Sequence, residues 1–210
     1  MARKINPNLY RLGINRNWDS RWFSTKNMAE WLSEDELVRA VIMEKIGDAG
    51  IARIEIERTP DRYKVFIKAS KPGLIIGRGG KGIEDLTKAI EKKVKSEIPL
   101  SLNVEELKRT EIASAVVAQN IAFDIERRQR YRRTMKKHLE SVMQNRDVKG
   151  AKIMLSGRLD GNEIARKEWL TKGKLPLSTL RSNIDYGTAS AVASYGTIGI
   201  KVWIYKGEVF

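Results

Sequence analysis

The sequence predicts an α+β protein built from two small domains in succession. Apolar residues recur at helical spacing in several stretches, and they alternate at strand spacing around Ile54, Val65 and Ile200. A glycine-rich segment at 77–82 interrupts the first of these domains. A chain of 210 residues is long enough to give each domain a core of its own.

Residues 1–30 are predicted to form a basic arm. Its arginines and lysines are interleaved with aromatic residues, as in segments that bind RNA through phosphates and bases. We expect several of these cations to contact RNA. Trp22, Phe23 and Trp31 are instead expected to pack the arm against the domain that follows.

The first domain is predicted over residues 31–106. Ser33 and Glu36 form a capping-box pair, which predicts that a helix begins there, and Gly47 and Gly50 predict its end. The remaining elements are an antiparallel hairpin at 51–67, a short apolar helix at 74–76, the glycine loop at 77–82, a helix at 83–94 and a strand at 100–104.

The second domain is predicted over residues 107–210, as two helices on a mostly antiparallel sheet. The helical pattern at 108–145 changes midway, because one uninterrupted helix would place Arg128 and Arg132 on its apolar face. We therefore predict a break near 128–131. Strand alternation follows Gly150 and is cleanest at 198–204, and Trp169 and Trp203 are expected to pack in this sheet.

The charge balance favours a polyanionic partner. The 40 Lys and Arg residues outnumber the 26 Asp and Glu residues, which gives a net charge of +14. Cations that meet phosphates release condensed counterions, so nucleic acid is favoured. An anionic membrane is the competing surface, but the cations are not gathered on one amphipathic helix, no apolar run reaches spanning length, and no signal-peptide pattern opens the chain.

Residue usage argues against catalysis. The chain has no cysteine, and His138 is its only histidine. It therefore offers no thiolate or multi-histidine metal site and no histidine triad. We predict no catalytic residue, no metal and no cofactor. Because His138 lies in a basic helical stretch, we interpret it as a surface residue.

The glycine loop fits two known patterns. Its spacing satisfies the G-x-G-x-x-G of dinucleotide-binding loops, but Pro72 and Gly73 separate it from the preceding strand and no series of βαβ units follows. The G-x-x-G of KH domains fits better, because it joins two short helices and clamps a single-stranded sugar–phosphate backbone. The order of elements is that of a type II KH domain, an α/β sandwich. The predicted RNA-binding residues are Gly77, Arg78, Gly79, Gly80 and Lys81.

A second basic site lies at the predicted helix break. We call residues 127–137 the basic elbow; its cations are Arg127, Arg128, Arg130, Arg132, Arg133, Lys136 and Lys137. Few carboxylates are near enough in sequence to neutralise them, and unneutralised charge at this density is repulsive. We therefore expect the elbow to bind RNA.

Several longer stretches resemble one family along essentially the whole chain. They are RLGI with the following tryptophans, PGLIIGRGGKGIEDL, QRYRRTMKKHL, SGRLDGNEIARKEW, LPLSTLRSNIDY and YGTIGIKVWIYKGE. The chain thereby resembles the bacterial-type small ribosomal subunit protein 3 family. The resemblance implies a structural protein of the small-subunit head that binds rRNA, lines the channel by which mRNA enters and assists mRNA unwinding passively.

The resemblance also implies partners and places. It implies small-subunit rRNA, mRNA and neighbouring proteins such as small-subunit proteins 10 and 14 as partners, and no membrane. It implies a place on cytoplasmic ribosomes, with organellar ribosomes as the open alternative. By position the resemblance assigns Arg132, Arg133 and Lys136 to incoming mRNA, and we extend this assignment to their basic neighbours Arg128, Arg130 and Lys137. The residues assigned to rRNA are Arg3, Lys4, Arg11, Arg158, Arg166, Lys167 and Arg181. A free-standing KH regulator or an RNA-processing enzyme, with paired carboxylates on magnesium, is the rival hypothesis.

Overall fold

The chain divides into two compact units, each with its own apolar core. The computed structural model describes residues 4–59, 62–94, 99–107 and 112–209. One unit is Trp18–Lys108, and the other joins Met1–Asn17 to Arg109–Phe210. The basic arm predicted at 1–30 is thus shared between the units, while the boundaries 31–106 and 107–210 stay predictions.

Both units contain helices and strands. In chain order they are α1 (Pro7–Tyr10), β1 (Ser20–Arg21), α2 (Met28–Ile46), β2 (Ile51–Thr59), β3 (Arg62–Ala69), α3 (Pro72–Ile76), α4 (Lys81–Lys93), β4 (Leu100–Glu106), α5 (Ser114–Glu126), α6 (Tyr131–Met143), β5 (Gly150–Gly157), β6 (Arg166–Gly173), β7 (Ser182–Ala193) and β8 (Gly196–Glu208).

The unit at 18–108 is a four-stranded sheet covered on one face by helices. The strand order is β1-β2-β3-β4, with β2 and β3 antiparallel and the two outer strands parallel to their neighbours. Val38 and Ile42 of α2 and Ile90 of α4 belong to the same buried cluster as Ile56 and Val65 of the hairpin. The predicted order of helix, hairpin, short helix, glycine loop, helix and strand is confirmed.

The start of α2 differs from the prediction. The helix begins at Met28, and Ser33 lies inside it, where its Oγ donates to the Glu30 carbonyl at 2.8 Å rather than capping an N-terminus. The cause is tertiary packing, because Trp31 in the first turns of α2 meets Trp22 edge-on with ring centroids 5.5 Å apart. Packing of Trp22 and Trp31 is confirmed, but the prediction for Phe23 is wrong, since its side chain is 87% exposed.

The second unit is a four-stranded antiparallel sheet in the order β6-β5-β8-β7. Helices α5 and α6 cover one face, where Ile121 and Met135 share a buried cluster with Ile153, Leu155 and Val202. The predicted break between the helices is confirmed: α5 ends at Glu126, α6 begins at Tyr131, and Arg128 between them adopts φ +61°. Strand β6 went unpredicted because its residues are mostly polar and exposed.

Arg11 has a structural place that the sequence did not indicate. It is 2% exposed, and its Nε donates to the Ser182 carbonyl at 2.7 Å. Nη1 donates to the Pro7 carbonyl at 3.1 Å, and Nη2 lies 2.8 Å from the carbonyl oxygens of both Leu177 and Thr179. Burial lowers the pKa of Arg11. The assignment of Arg11 to rRNA is therefore corrected, because this guanidinium fastens residues 4–17 to the second unit.

A second internal arginine holds the first unit. Nη1 of Arg58 pairs with Glu34 and Nη2 with Asp35, both at 2.6 Å, and the guanidinium lies 4.1 Å from the centroid of the Tyr63 ring. Nη2 also donates to the Tyr63 hydroxyl at 3.0 Å. Burial raises the pKa of Tyr63 to about 12.

Replacing Arg11 should loosen the N-terminal segment. Arg11→Ala leaves several buried carbonyls without donors, so we expect the free energy of unfolding of this unit to fall by about 2–4 kcal/mol. Arg11→Lys should not restore it, since one ammonium cannot span the carbonyls that the guanidinium fork reaches. Urea denaturation and amide exchange at residues 4–17 measure this, with the exposed Lys4→Ala as control; a loss no larger than the control's contradicts the role.

Tyr63 should make the first unit sensitive to alkaline pH. The unfolded hydroxyl loses its proton near pH 10.0, whereas the folded one keeps it until about pH 12. The stability that the protonated hydroxyl supplies is thus complete below pH 10 and lost as pH rises towards 12. Between those limits the wild type should lose about 2–3 kcal/mol more than Tyr63→Phe in urea denaturation. Equal losses would show that Tyr63 is not the titrating group.

Candidate nucleic-acid interface

The glycine loop joins α3 to α4 through three left-handed residues. Gly77, Gly79 and Gly80 have φ values of +68°, +64° and +82°, a region that other residues enter only with strain. Arg78 and Lys81 are both exposed on this loop. Neither side chain forms a hydrogen bond or ion pair within the described part of the chain.

The glycines serve two different purposes. A Cβ on Gly82 would lie 2.4 Å from the Ile75 carbonyl oxygen, and one on Gly77 would lie 3.0 Å from the Gly82 nitrogen, so these two let α3 and α4 approach each other closely. A Cβ on Gly79 or Gly80 would have no described atom within 4 Å. The loop is therefore packed on one side and open on the other, where a phosphate can approach the backbone.

The basic elbow is exposed because of how α6 presents its faces. Tyr131, Met135 and Leu139 are buried against the sheet, at the spacing expected of one helix face. The cations of the same helix, Arg132, Arg133, Lys136 and Lys137, point away from the core and are exposed. The turn before α6 exposes Arg128 and Arg130 in the same way.

Two elbow cations have acidic partners. Nη2 of Arg132 lies 3.1 Å from Glu168, which also accepts a hydrogen bond from the Tyr131 hydroxyl at 2.8 Å. The hydrogen bond from Arg132, followed by that from Tyr131, lowers the pKa of Glu168. The same hydrogen bond raises the pKa of Arg132. Lys137 lies 3.6 Å from Asp124.

His138 is held by the same carboxylate. Its Nε2 lies 2.8 Å from Oδ2 of Asp124, and the side chain is only 16% exposed. This histidine therefore helps to join α6 to α5, in place of the surface position that the sequence suggested.

The other elbow cations are available to a ligand. Arg128, Arg130, Arg133 and Lys136 form no ion pair within the described residues. Arg130 and Arg133 line one cleft together with Gln129 and Lys137. A second cleft is lined by Arg132, Arg133, Met135, Lys136, Lys137, Glu140, Glu168, Trp169 and Leu170.

The residues assigned to rRNA are spread over the second unit. Lys4, Arg166 and Lys167 are exposed, and Arg181 lies 3.0 Å from Glu208. Arg158 holds a loop together, because its Nε donates to the Asn162 carbonyl and its Nη1 to that of Tyr195. Arg3 lies outside the described residues, and Arg11 is buried as shown above.

Sequence reasoning missed one basic group and misjudged one tryptophan. Lys152 and Lys201 share the helix-free face of the sheet with Trp169, which is 59% exposed and not packed in the sheet. Trp203 is packed as expected, 5.3 Å from the Tyr186 ring. The available signal was the strand alternation itself, which puts Lys201 and Trp203 on one face and Ile200 and Val202 on the other.

Metal clusters and membrane-spanning helices are both absent from the described residues. Among the residues it describes, no three histidine, cysteine, aspartate or glutamate side chains cluster as a metal site would require. In those same ranges, no helix is long and apolar enough to cross a bilayer.

Comparison with known proteins gives matches to both halves of the chain. A family model described as KH domain matches residues 37–112, and one described as Ribosomal protein S3, C-terminal domain, matches residues 121–204. The KH match supports the predicted KH fold over the dinucleotide-binding alternative.

Curated relatives match from end to end. The small ribosomal subunit protein uS3 of Thermosipho africanus is 50% identical, over 99% of this chain and 99% of its own length. The proteins of the same name from Caldicellulosiruptor saccharolyticus and Anaeromyxobacter sp. are 47% and 46% identical, over 100% of this chain and 94% and 92% of theirs.

The two kinds of glycine in the loop should respond differently to substitution. Gly82→Ala drives a Cβ against the Ile75 carbonyl and should lower the free energy of unfolding by about 3 kcal/mol. The Cβ of Gly79→Ala meets open space, so the free energy of unfolding should fall only by the cost of a left-handed alanine, about 1–2 kcal/mol. Urea denaturation of both variants measures the difference. The packing role of Gly82 fails if Gly79→Ala is the more damaging change.

Proposed function

The chain belongs to the uS3 family of small ribosomal subunit proteins, which are structural, RNA-binding and not enzymes, and from this premise we propose that its basic elbow lines the channel by which mRNA enters the subunit. There it assists unwinding of structured mRNA without hydrolysing a nucleotide. The protein also binds rRNA in the head of the subunit.

The observation that carries this proposal is the set of unpaired cations at the elbow. Arg133 and Lys136 are exposed on α6, and they line a cleft together with Trp169 of β6. Neither cation has a carboxylate within ion-pair distance among the residues described. Cations without internal partners raise the electrostatic repulsion within the elbow, and the phosphates of a bound RNA strand relieve that repulsion.

Such a site acts passively on RNA structure. Phosphates of a released single strand exchange condensed counterions for the fixed cations of the elbow, and a strand held in this way is less free to re-pair. The ribosome's own movement along mRNA supplies the work of strand separation. Arg133 and Lys136 then hold each strand as it is released, which slows re-pairing.

The remaining predicted contacts stay proposals of the same function. The glycine loop offers Arg78 and Lys81 beside an open backbone, and the second unit offers Lys4, Arg166 and Lys167 to rRNA. Arg158 and Arg181 contribute less free charge, because each is already held by other groups of this unit. Small-subunit proteins 10 and 14 are proposed as neighbours in an assembled ribosomal subunit.

Neutralising the free elbow cations should slow translation through structured mRNA. Arg133→Ala with Lys136→Ala should lengthen the time that ribosomes need to pass a stable hairpin, without changing the time on an unstructured template. The purified variant should also show a log–log salt slope for single-stranded RNA that is shallower by about 1.4, or about 0.7 for each lost phosphate contact.

The matched control keeps the charge. Arg133→Lys with Lys136→Arg leaves two cations at the same positions and should pass the hairpin at the wild-type rate. Arg132→Ala tests the paired cation, whose loss should matter less than that of the free pair. If the double alanine variant passes the hairpin as fast as the wild type, the unwinding role is wrong.

A further inference from the structure

The helix-free face of the second unit's sheet is a regular grid of side chains. We call it the open face. Twelve of the residues that cross-strand pairing places on it form three successive rows across β6, β5, β8 and β7. The rows are Thr171, Lys152, Trp203 and Tyr186; Trp169, Met154, Lys201 and Thr188; and Lys167, Ser156, Gly199 and Ser190.

The open face is positively charged throughout. Lys152, Lys167 and Lys201 stand on it, and none of its positions is an aspartate or glutamate. Within the described ranges none of these lysines forms an ion pair.

The sheet of the first unit has the opposite design. There Arg53 pairs with Glu55 at 3.0 Å and with Asp19 at 2.6 Å, and Arg21 pairs with Glu57 at 3.1 Å. That face neutralises itself, whereas the open face has no acidic residue to do so. An external polyanion is the partner that its charge fits.

Aromatic rings lie among these lysines. Trp169 is 59% exposed, an unusual position for the largest apolar side chain. Nζ of Lys152 lies 5.7 Å from the Trp169 ring centroid and 5.6 Å from that of Trp203, so one cation bridges the two indoles. Burial, and then the nearby charge of Lys4, lowers the pKa of Lys152. The Lys152 ammonium is thus crowded by a like charge that a phosphate would offset.

The open face is continuous with the basic elbow. Trp169 lines the same cleft as Arg133 and Lys136, at the edge strand β6. The side chain of Trp169 lies on the open face, opposite Glu168 and Leu170, so a strand held by those two cations passes round the edge of β6 to reach its indole. Lys167 lies two residues from Trp169 on the same strand face, about 7 Å away, which is within one nucleotide of a stacked base.

We propose that the single-stranded mRNA held at the basic elbow continues onto the open face, where Trp169 stacks on a base and Lys167 and Lys201 contact phosphates. This inference rests on the proposed function of the elbow. Exposed aromatics on a four-stranded sheet are an established means of binding single-stranded RNA, because every base offers a ring face for stacking. The proposal extends the RNA path beyond the cations that the sequence singled out.

Binding of an unstructured RNA of about 16 nucleotides to the purified full-length chain tests this path. Trp169→Ala should weaken binding by about 5- to 100-fold, since it removes one stacked base. Trp169→Phe keeps a ring and should retain most of the affinity. Lys167→Gln with Lys201→Gln should reduce the log–log salt slope by about 1.4. Circular dichroism and thermal unfolding confirm that each variant is folded.

The outcomes separate this inference from the function on which it rests. If Trp169→Ala binds like the wild type while Arg133→Ala with Lys136→Ala binds weakly, the open-face path is wrong and the elbow stands. If neither variant weakens binding, both fail. On programmed small subunits, a photoreactive benzoylphenylalanine at position 169 should crosslink to mRNA. A crosslink to rRNA or to a neighbouring protein instead would overturn the assignment of the open face to mRNA.

Discussion

The constraint on which this structure depends is the cost of removing a cation from water. A guanidinium can be buried only where its donors find acceptors, and Arg11 meets that condition with backbone carbonyls alone. The two terminal nitrogens of Arg58 meet it with Glu34 and Asp35. An uninterrupted helix would place Arg128 and Arg132 on its apolar face, whereas the chain turns at Arg128 and leaves both side chains exposed. The basic elbow exists because of that turn.

The same constraint separates structural cations from those available to RNA. The first unit pairs its surface arginines with nearby carboxylates on its own sheet, so that face has little charge to offer. The second unit leaves lysines on the open face, and arginines and lysines on the elbow, without acidic neighbours in the ranges described. A net charge of +14 destabilises the compact chain through self-repulsion. Binding RNA then relieves the repulsion that remains.

Much of the fold and part of the interface were predictable from local sequence. Apolar periodicity located the hairpin, α4, α5, α6 and β8, and glycine spacing located the loop. The capping-box prediction at Ser33 was wrong because contact with Trp22 stabilises earlier turns of α2, and β6 was missed because an edge strand needs no apolar alternation. Arg11 was misassigned for a similar reason: its acceptors at residues 176–182 are far away in sequence.

The sequence by itself determined the class of protein, the order of elements from α2 to β4, the KH loop and the place where the long helical pattern breaks, since each depends on residues that are near neighbours in the chain. Only the tertiary structure decided which cations are free. Glu168 pairs with Arg132, which lies 36 residues away in sequence, and Asp124 pairs with Lys137 and His138. Strand pairing brings Trp169 beside Lys152 and Lys201. Electrostatic and stacking interactions depend on distance in space, and the fold sets those distances.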